Sequence, residues 1–567
     1  MIIETIKIKE MGLFPELLIG ISVIYLILYG LFLSYNAEHN FPLLHSSILN
    51  LSVLVISLSC FLVINENLCN SNFISFSGTI TIDYLSFISK IVIGVASLIC
   101  LIMIKQHLKA QKINSFEYTI VILFAVLGLF LLCSAHDFLT AYLAIELQSL
   151  SFYILAAFKK NSTSSVEGGL KYFILGAFSS GFFLFGVSLI YFFTGTTDFE
   201  NLSLLYGKGT FFPDERFIFD YIIICLILGG NLLKWAADKF SGFPIPMWEE
   251  EIEIALNRSS EYEYFFSDFL PYVFLFVLVS LFFKLSLVPF HSWSPDVYES
   301  SPSSSTFFFS VVSKLGIFVL LIRLCYYTFH QFIIYWGYPA VVLAVLSVIV
   351  GSVAGIEQRK LKSLLAYSSI SHIGYLILSF SSGNGEFPIQ LLLCYLIIYT
   401  GSGLCIWSVF MLTRLNNNHQ KKQNKDLADL VLLRKSNSAL AIVMVVVLLS
   451  IAGLPPMIGF LVKMSIFLVA LKAELYNSAI VAILFSVVST FYYIRIVKIM
   501  YFEPVLVGKL YYPINSNVTA VLVSFLFFLL LFLFINPNLL YMLTYKACYE
   551  LSYPTHREAF GEVVKLH

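Results

Sequence analysis

The sequence predicts an all-α polytopic membrane protein of about fourteen spanning helices, and three observations predict it. Hydrophobic residues make up 59% of the 567-residue chain and charged residues only 12%, roughly half the charged share of an average soluble domain. The apolar residues collect in nearly uncharged runs of about 18 or more, the length that crosses a hydrocarbon core of roughly 30 Å as a helix. The basic residues collect between those runs, and mostly on one side.

Taken in order, the candidate spans fall at 13–35, 43–65, 84–104, 117–135, 136–157, 168–194, 272–290, 305–326, 334–355, 361–380, 388–413, 438–470, 477–499 and 518–545. Met1 to Glu10 alternates charge ahead of the first full-length span, which is not the pattern of a cleavable signal. Connections are mostly short, as expected of consecutive helices that neighbour one another, and no soluble domain is expected. Loops after odd-numbered spans carry Lys105, Lys109 and Lys112, then Lys159 and Lys160, then Arg359, Lys360 and Lys362. Arg414, Lys421, Lys422, Lys425, Arg434 and Lys435 follow the eleventh span, and Arg495 and Lys498 end the thirteenth. Sixteen of the 34 basic residues thus share one face. The positive-inside rule assigns that face to the cytoplasm or matrix and the N-terminus to the opposite one.

One stretch departs from this order. Between 196 and 271 lies a further apolar run, Tyr221 to Ala237, followed by an acidic segment with Glu249, Glu250, Glu251 and Glu253. A single added crossing would invert every later loop, yet the later basic loops keep their parity. Tyr221 to Ala237 is therefore read as interfacial, re-entrant or one of a pair of added crossings. The insertion at 207–271 is read as a bland addition on the outer face, of the kind long loops tolerate.

Composition narrows the function classes. Lys plus Arg and Asp plus Glu both number 34, so net charge carries no sign of a nucleic-acid partner. Nine cysteines, at 60, 69, 100, 133, 225, 325, 394, 405 and 548, sit mostly in apolar runs without a C-x-x-C pair. They read as small apolar packing residues, not as a disulfide framework or as zinc or iron–sulfur ligands. No nucleotide-binding glycine motif occurs.

A charge at the centre of a spanning helix costs about 2.5 to 3.5 kcal/mol, so each one needs a reason. Glu146 in YLAIELQSL, Lys284 in SLFFKLSLVPF, Lys314 in SVVSKLGIF and Lys463 in LPPMIGFLVKMSIF are four such charges. Leaving water disfavours the charged form of amine and carboxylate alike, which brings both toward proton exchange at neutral pH. A proton relay requires that. For Lys90, which lies near one end of its span, a side chain reaching back to the interface is the favoured reading; for the other charges the alternative is a static ion pair or such an end. Static pairing cannot satisfy the other three lysines, which outnumber the one glutamate available to pair with them.

Proline adds to the pattern. Lys284 precedes Pro289, and Lys463 follows Pro455 and Pro456. Proline removes a helix donor and frees carbonyls, which a membrane tolerates where protein or a hydrated cavity covers the break. Broken spans at matching places in two halves point to inverted repeats around a midplane ion site. The seventh and twelfth spans are five apart, an odd number, so helices 4–8 and 9–13 would have opposite topology; two ordinary kinks are the alternative. His372 lies in AYSSISHIGYLILSF among Ser368, Ser369, Ser371 and Tyr375, where it reads either as a proton carrier or as a hydrogen-bonded core histidine. Glu167 and Lys171, four apart at the start of the sixth span, read as a helix-face ion pair or as part of the path.

At these residues the chain resembles the subunit 2 family of respiratory NADH:ubiquinone oxidoreductase, complex I. The resemblance runs from Leu13 to Phe502 apart from the insertion, and its most specific stretches are LFPELLIG, AYLAIELQSLSFYILA, GGLKYFILGAFSSG, KLSLVPFHSWSPDVYE, LLAYSSISHIGY and AGLPPMIGFLVKM. It is nearest the long plant and protist mitochondrial forms, since animal forms lack the first three helices. The resemblance implies an antiporter-like subunit of the membrane arm, with Glu146 paired to Lys284, Lys314 as central relay and Lys463 leading to the exit. A lysine at 463 favours subunit 2 over subunit 4, whose equivalent is glutamate, and the absence of a long lateral helix after the last span argues against subunit 5.

The implied divisions are a three-helix segment at 1–115, a first repeat at 116–330, a second at 331–500 and a C-terminal helix and tail at 501–567. Also implied are a mitochondrial inner-membrane location with the N-terminus in the intermembrane space, and partners among subunit 4, the small 4L-type subunit and accessory subunits. FMN, iron–sulfur clusters and ubiquinone are expected in other chains, and bound phospholipid such as cardiolipin against this one. A cation/proton antiporter subunit of the related stand-alone complexes and a non-pumping scaffold are the competing readings; the wording of AIELQSL and HSWSPDVYE favours the respiratory one.

Overall fold

The computed structural model describes residues 11–33, 45–67, 73–111, 115–207, 259–383, 386–413, 415–417, 420–422, 426–431, 433–503, 510–511 and 517–552. Tyr221 to Ala237, the acidic segment with Glu249 to Glu253, Met1 to Glu10, Lys112, Arg414 and Lys425 lie outside them.

Long apolar helices follow one another as the hydropathy pattern dictates. They are α1 (Phe14–Leu33), α2 (His45–Asn67), α3 (Tyr84–Gln111), α4 (Glu117–Ser134), α5 (Phe138–Ala157) and α6 (Thr163–Thr194). The seventh is broken into α7a (Ser259–Leu285) and α7b (Trp293–Ser300). Then come α8 (Ser303–Thr328), α9 (Ile333–Glu357), α10 (Leu361–Ser381) and α11 (Glu386–Leu412). The twelfth is broken into α12a (Ser438–Ala452) and α12b (Ile458–Lys472), and α13 (Tyr476–Tyr501) and α14 (Asn517–Ile535) complete the bundle. Twelve of these are long and apolar enough to cross a membrane alone. The broken seventh and twelfth contribute the shorter apolar pieces Pro271–Leu285 and Ser438–Ala452, so the fourteen-span reading and its two broken members stand. The chain is a multi-pass membrane protein.

Burial separates centre from rim. The apolar windows of α8 and α10 are each 94% buried, against 28% for α13 and α14, so α8 and α10 lie at the centre of the bundle. Gly128 sets the approach of α4 to α5, because a Cβ there would meet the Gln148 backbone nitrogen at 2.9 Å. α8 ends in a π-helical turn, Arg323–Thr328, a geometry that recurs at functional positions.

Three details depart from the sequence reading. The last span does not continue to 545: Pro537 follows its end, and a separate helix, Asn538–Ser552, begins beyond it, because proline cannot supply the helical N–H. Short strands occur where none was expected, a hairpin of β1 (Phe73–Ser75) and β2 (Ile80–Ile82) and a sheet of order β4–β3–β5 from Leu415–Asn417, Gln420–Lys422 and Leu510–Tyr511. Lys90 does not reach for the interface. It is 1% exposed and paired at 2.5 Å with Glu16 of α1, itself 4% exposed, so a carboxylate from another helix meets it where span position alone would leave it open.

Candidate proton path

Each break in a spanning helix leaves backbone groups that something must satisfy. In α12, Pro456 lies four residues after Ala452 and has no N–H to give its carbonyl. The Lys463 Nζ donates to the Ala452 carbonyl at 2.9 Å instead. The turn before it depends on Gly453, whose φ of +82° is left-handed and closes a bond from its N–H to the Leu449 carbonyl at 3.1 Å. In α7 the indole Nε1–H of Trp293 donates to the Phe283 carbonyl at 3.0 Å, and Lys284 follows that carbonyl directly. Both breaks therefore have a lysine close by in the chain, and in α12 its ammonium caps a carbonyl of the break.

Lys314, 5% exposed, projects from α8 to α11, where its Nζ donates to the Tyr399 hydroxyl at 3.0 Å. The Tyr399 ring lies 5.6 Å from that of His372 on α10, centroid to centroid. His372 is 4% exposed. Its Nδ1 is 2.6 Å from the Tyr395 hydroxyl of α11 and its Nε2 3.2 Å from the Tyr493 hydroxyl of α13. Tyr375, one turn along α10, lies under the Lys463 ammonium, 5.2 Å from Nζ to ring centroid. Between Lys314 and Lys463 thus lie one histidine and a set of phenols, whose hydroxyls are able both to donate and to accept.

On the other side of Lys314 the structure brings Glu146 and Lys284 within electrostatic reach of each other, yet among the described residues they form no ion pair. Both are half-buried, and the Glu146 Oε1 is enclosed without a hydrogen-bond partner. A cavity of about 20 Å³ lies between Lys284 and Ser313, lined also by Gln148, Ser149, Tyr153 and Trp293, and that is room for a water molecule. Gln148 Nε2 reaches the Ser313 carbonyl at 3.5 Å, one residue from Lys314.

Glu167 and Lys171 stand apart from this row. Lys171 is 47% and Glu167 70% exposed; Lys171 contacts Glu167 at 3.3 Å and Asp296 of α7b at 3.1 Å. The structure brings Glu146, Lys284, Lys314, His372 and Lys463 into one row and leaves Glu167 and Lys171 on its flank. Sequence reading missed Tyr395, Tyr399 and Tyr493; the spacing of Tyr395 and Tyr399, four apart in an apolar span, was the signal available. It also missed Arg323, 4% exposed, which binds Asp83 Oδ1 at 2.7 Å, Thr81 Oγ1 at 2.8 Å and the Cys133 carbonyl at 3.0 Å. Burial works against the Asp83 charge at the head of α3, but Arg323 outweighs it and holds that carboxyl below its ordinary range. Among the described residues no three His, Cys, Asp or Glu side chains gather as a metal site.

Paired broken helices around a row of ionisable side chains are the features of an antiporter-like membrane subunit. A family profile described as NADH:quinone oxidoreductase/Mrp antiporter, TM matches residues 135–253 and 262–491. The NADH-ubiquinone oxidoreductase chain 2 of Marchantia polymorpha is 34% identical over 94% of this chain and 97% of its own length. The NADH-quinone oxidoreductase subunit N of Paramagnetospirillum magneticum is 34% identical over 90% of this chain and 91% of its own. A chain of respiratory complex I from Thermus thermophilus shares the fold, with a TM-score of 0.68 at 23% identity over 93% of this chain and 98% of that one. The chain belongs to the NADH:quinone oxidoreductase/Mrp antiporter family, with its similarity to curated proteins on the chain 2 and subunit N side.

Proposed function

We propose that Glu146, Lys284, Lys314, His372 and Lys463 carry protons through this chain, which serves as an antiporter-like, proton-translocating subunit in the membrane arm of an NADH:quinone oxidoreductase. The observation that carries the reading is the contact of the buried Lys314 ammonium with Tyr399, beside His372 and on the way to Lys463. No carboxylate fixes either ammonium among the described residues, so neutral partners leave each free to change protonation. A shift of charge at Glu146 and Lys284 alters the field at Lys314, and a proton then passes by Tyr399, His372 and Tyr375 to Lys463. Glu167 and Lys171 with Asp296 form an exposed branch that sets the field at α7b.

The same reading organises the chain as a three-helix segment at 1–115, inverted repeats at 116–330 and 331–500, and a C-terminal part at 501–567. The redox cofactors, FMN, iron–sulfur clusters and ubiquinone, belong to other subunits of the complex. We place the chain in the mitochondrial inner membrane with its N-terminus in the intermembrane space, on the argument of the basic loops. Its neighbours are then subunit 4, the 4L-type and accessory subunits, and phospholipid such as cardiolipin. The test is Lys314→Ala in the intact complex, with assembly read on a native gel. The expected result is an assembled complex whose pumping and NADH:quinone turnover fall by about tenfold or more. Undiminished pumping from a fully assembled variant overturns the reading and leaves a scaffold.

A further inference from the structure

α8 begins with hydroxyl side chains that this row does not use. Ser303, Thr306 and Ser310 lead to Lys314 at the spacing that keeps residues on one helix face. The first two are fully buried and Ser310 is 5% exposed. At their foot stands His107, from α3 and so from outside both five-helix repeats, 1% exposed and 2.9 Å from the Ser303 Oγ through its Nε2. Thr306 donates to the Ser303 carbonyl at 2.9 Å and Ser310 to the Phe307 carbonyl at 3.1 Å, which leaves each oxygen able to accept another proton donor. On the adjoining face the buried Oγ atoms of Ser304 and Ser305 lie beside the Tyr118 hydroxyl of α4. Alanine would pack this helix as closely, and burying polar groups without using them costs free energy.

α3 runs toward the end that carries Lys105 and Lys109, the basic face. We propose that His107 and the hydroxyl face of Ser303, Thr306 and Ser310 form a proton inlet that delivers protons from the basic face to Lys314. This rests on the reading of Lys314 as a carrier. The imidazole takes a proton at one ring nitrogen as the other gives one to Ser303. Hydroxyls, with water between successive turns, pass a proton upward without net change, and the Lys314 amine receives it. Among the described residues, the other charged or titratable groups around this foot include Lys362, whose Nζ donates to the Ser301 carbonyl at 2.8 Å, the Lys360–Glu299 pair, Tyr118 of α4 beside Ser304 and Ser305, and Cys100 of α3 near Tyr118. Lys105, on the histidine's own helix, is held by Asn50 at 2.6 Å. The first three helices then supply part of the path and do more than flank it.

The experiment compares His107→Gln, Ser303→Ala and Ser303→Thr in the intact, membrane-bound complex, measuring turnover and pumping from about pH 6 to about pH 8, where imidazole chemistry falls. The expected result is an assembled His107→Gln complex slowed less than about twofold at the acid end and about fivefold or more at the alkaline end, where protons are scarce. Ser303→Ala should follow the same profile and Ser303→Thr should restore it. Loss by one constant factor at every pH, or no rescue by threonine, overturns the inlet and leaves a packing contact. Wild-type behaviour of His107→Gln beside an inactive Lys314→Ala also overturns it while the lysine row stands; wild-type behaviour of both sinks the row itself. If His107→Gln does not assemble, Ser310→Ala against Ser310→Thr decides by the same pH profile.

Discussion

Two sets of charges are embedded in this bundle, and they differ in what they face. In the first three helices Lys90 meets Glu16 at 2.5 Å, and Arg323 at the end of α8 meets Asp83 at 2.7 Å. In the central row Lys314 meets a phenol and Lys463 a backbone carbonyl. An opposite charge favours the ionised form of its partner and fixes it; a neutral dipole stabilises the charge less and leaves proton exchange open. The first set holds helices together, and the second can change state.

The comparison breaks most visibly at Lys90. Lys90→Met or Glu16→Gln alone strands a buried charge and should destabilise the assembled complex by about 3 to 5 kcal/mol, whereas the two changes together should recover most of that loss. Thermal unfolding of the purified complex reads both, and turnover per assembled complex should stay near wild type. A single variant of normal stability but depressed pumping would move Glu16 and Lys90 into the conducting set and dissolve the distinction.

Tyr399→Phe sharpens it from the other side. The ring and its packing remain, and only the hydroxyl that accepts from Lys314 is lost. Turnover is expected to fall by about tenfold, in the range that one positioned proton-transferring group contributes, with a loss of stability of about 1 to 3 kcal/mol for the buried donor left unpaired. Normal turnover would show that Lys314 passes its proton on by a route that avoids α11.

These contrasts explain which parts were legible in the sequence. Lys284, Lys314 and Lys463 stood out because a charge inside an apolar run has no inexpensive explanation, and Pro289, Pro455 and Pro456 marked the breaks by removing donors. The partners were not legible. A tyrosine such as Tyr399 in an apolar span looks like bulk until the neighbouring helix is in place. Glu16, in the first turn of its helix, looks like an ordinary end-of-helix carboxylate. Lys90 was misread for the same reason, because distance to the end of a span is measured along one helix while burial depends on another.

The smallest effect separates backbone strain from lysine placement. Gly195 and Gly453 both cap helices at left-handed φ, +70° and +82°. Alanine at either costs about 1 to 2 kcal/mol in that conformation. They differ in surroundings: a Cβ at Gly195 meets nothing within 4 Å, whereas one at Gly453 lies 2.8 Å from the Lys463 Cδ and 3.4 Å from its Nζ. Both variants should therefore lose similar stability. Only Gly453→Ala should also lower turnover, by about two- to fivefold, as the lysine is pushed from the Ala452 carbonyl. Equal turnover in the two would mean that Lys463 conducts without that contact and that its carbonyl partner is structural, as Glu16 is for Lys90. A loss confined to Gly453→Ala, at matched stability, ties the function of the row to the position of one ammonium beside one freed carbonyl.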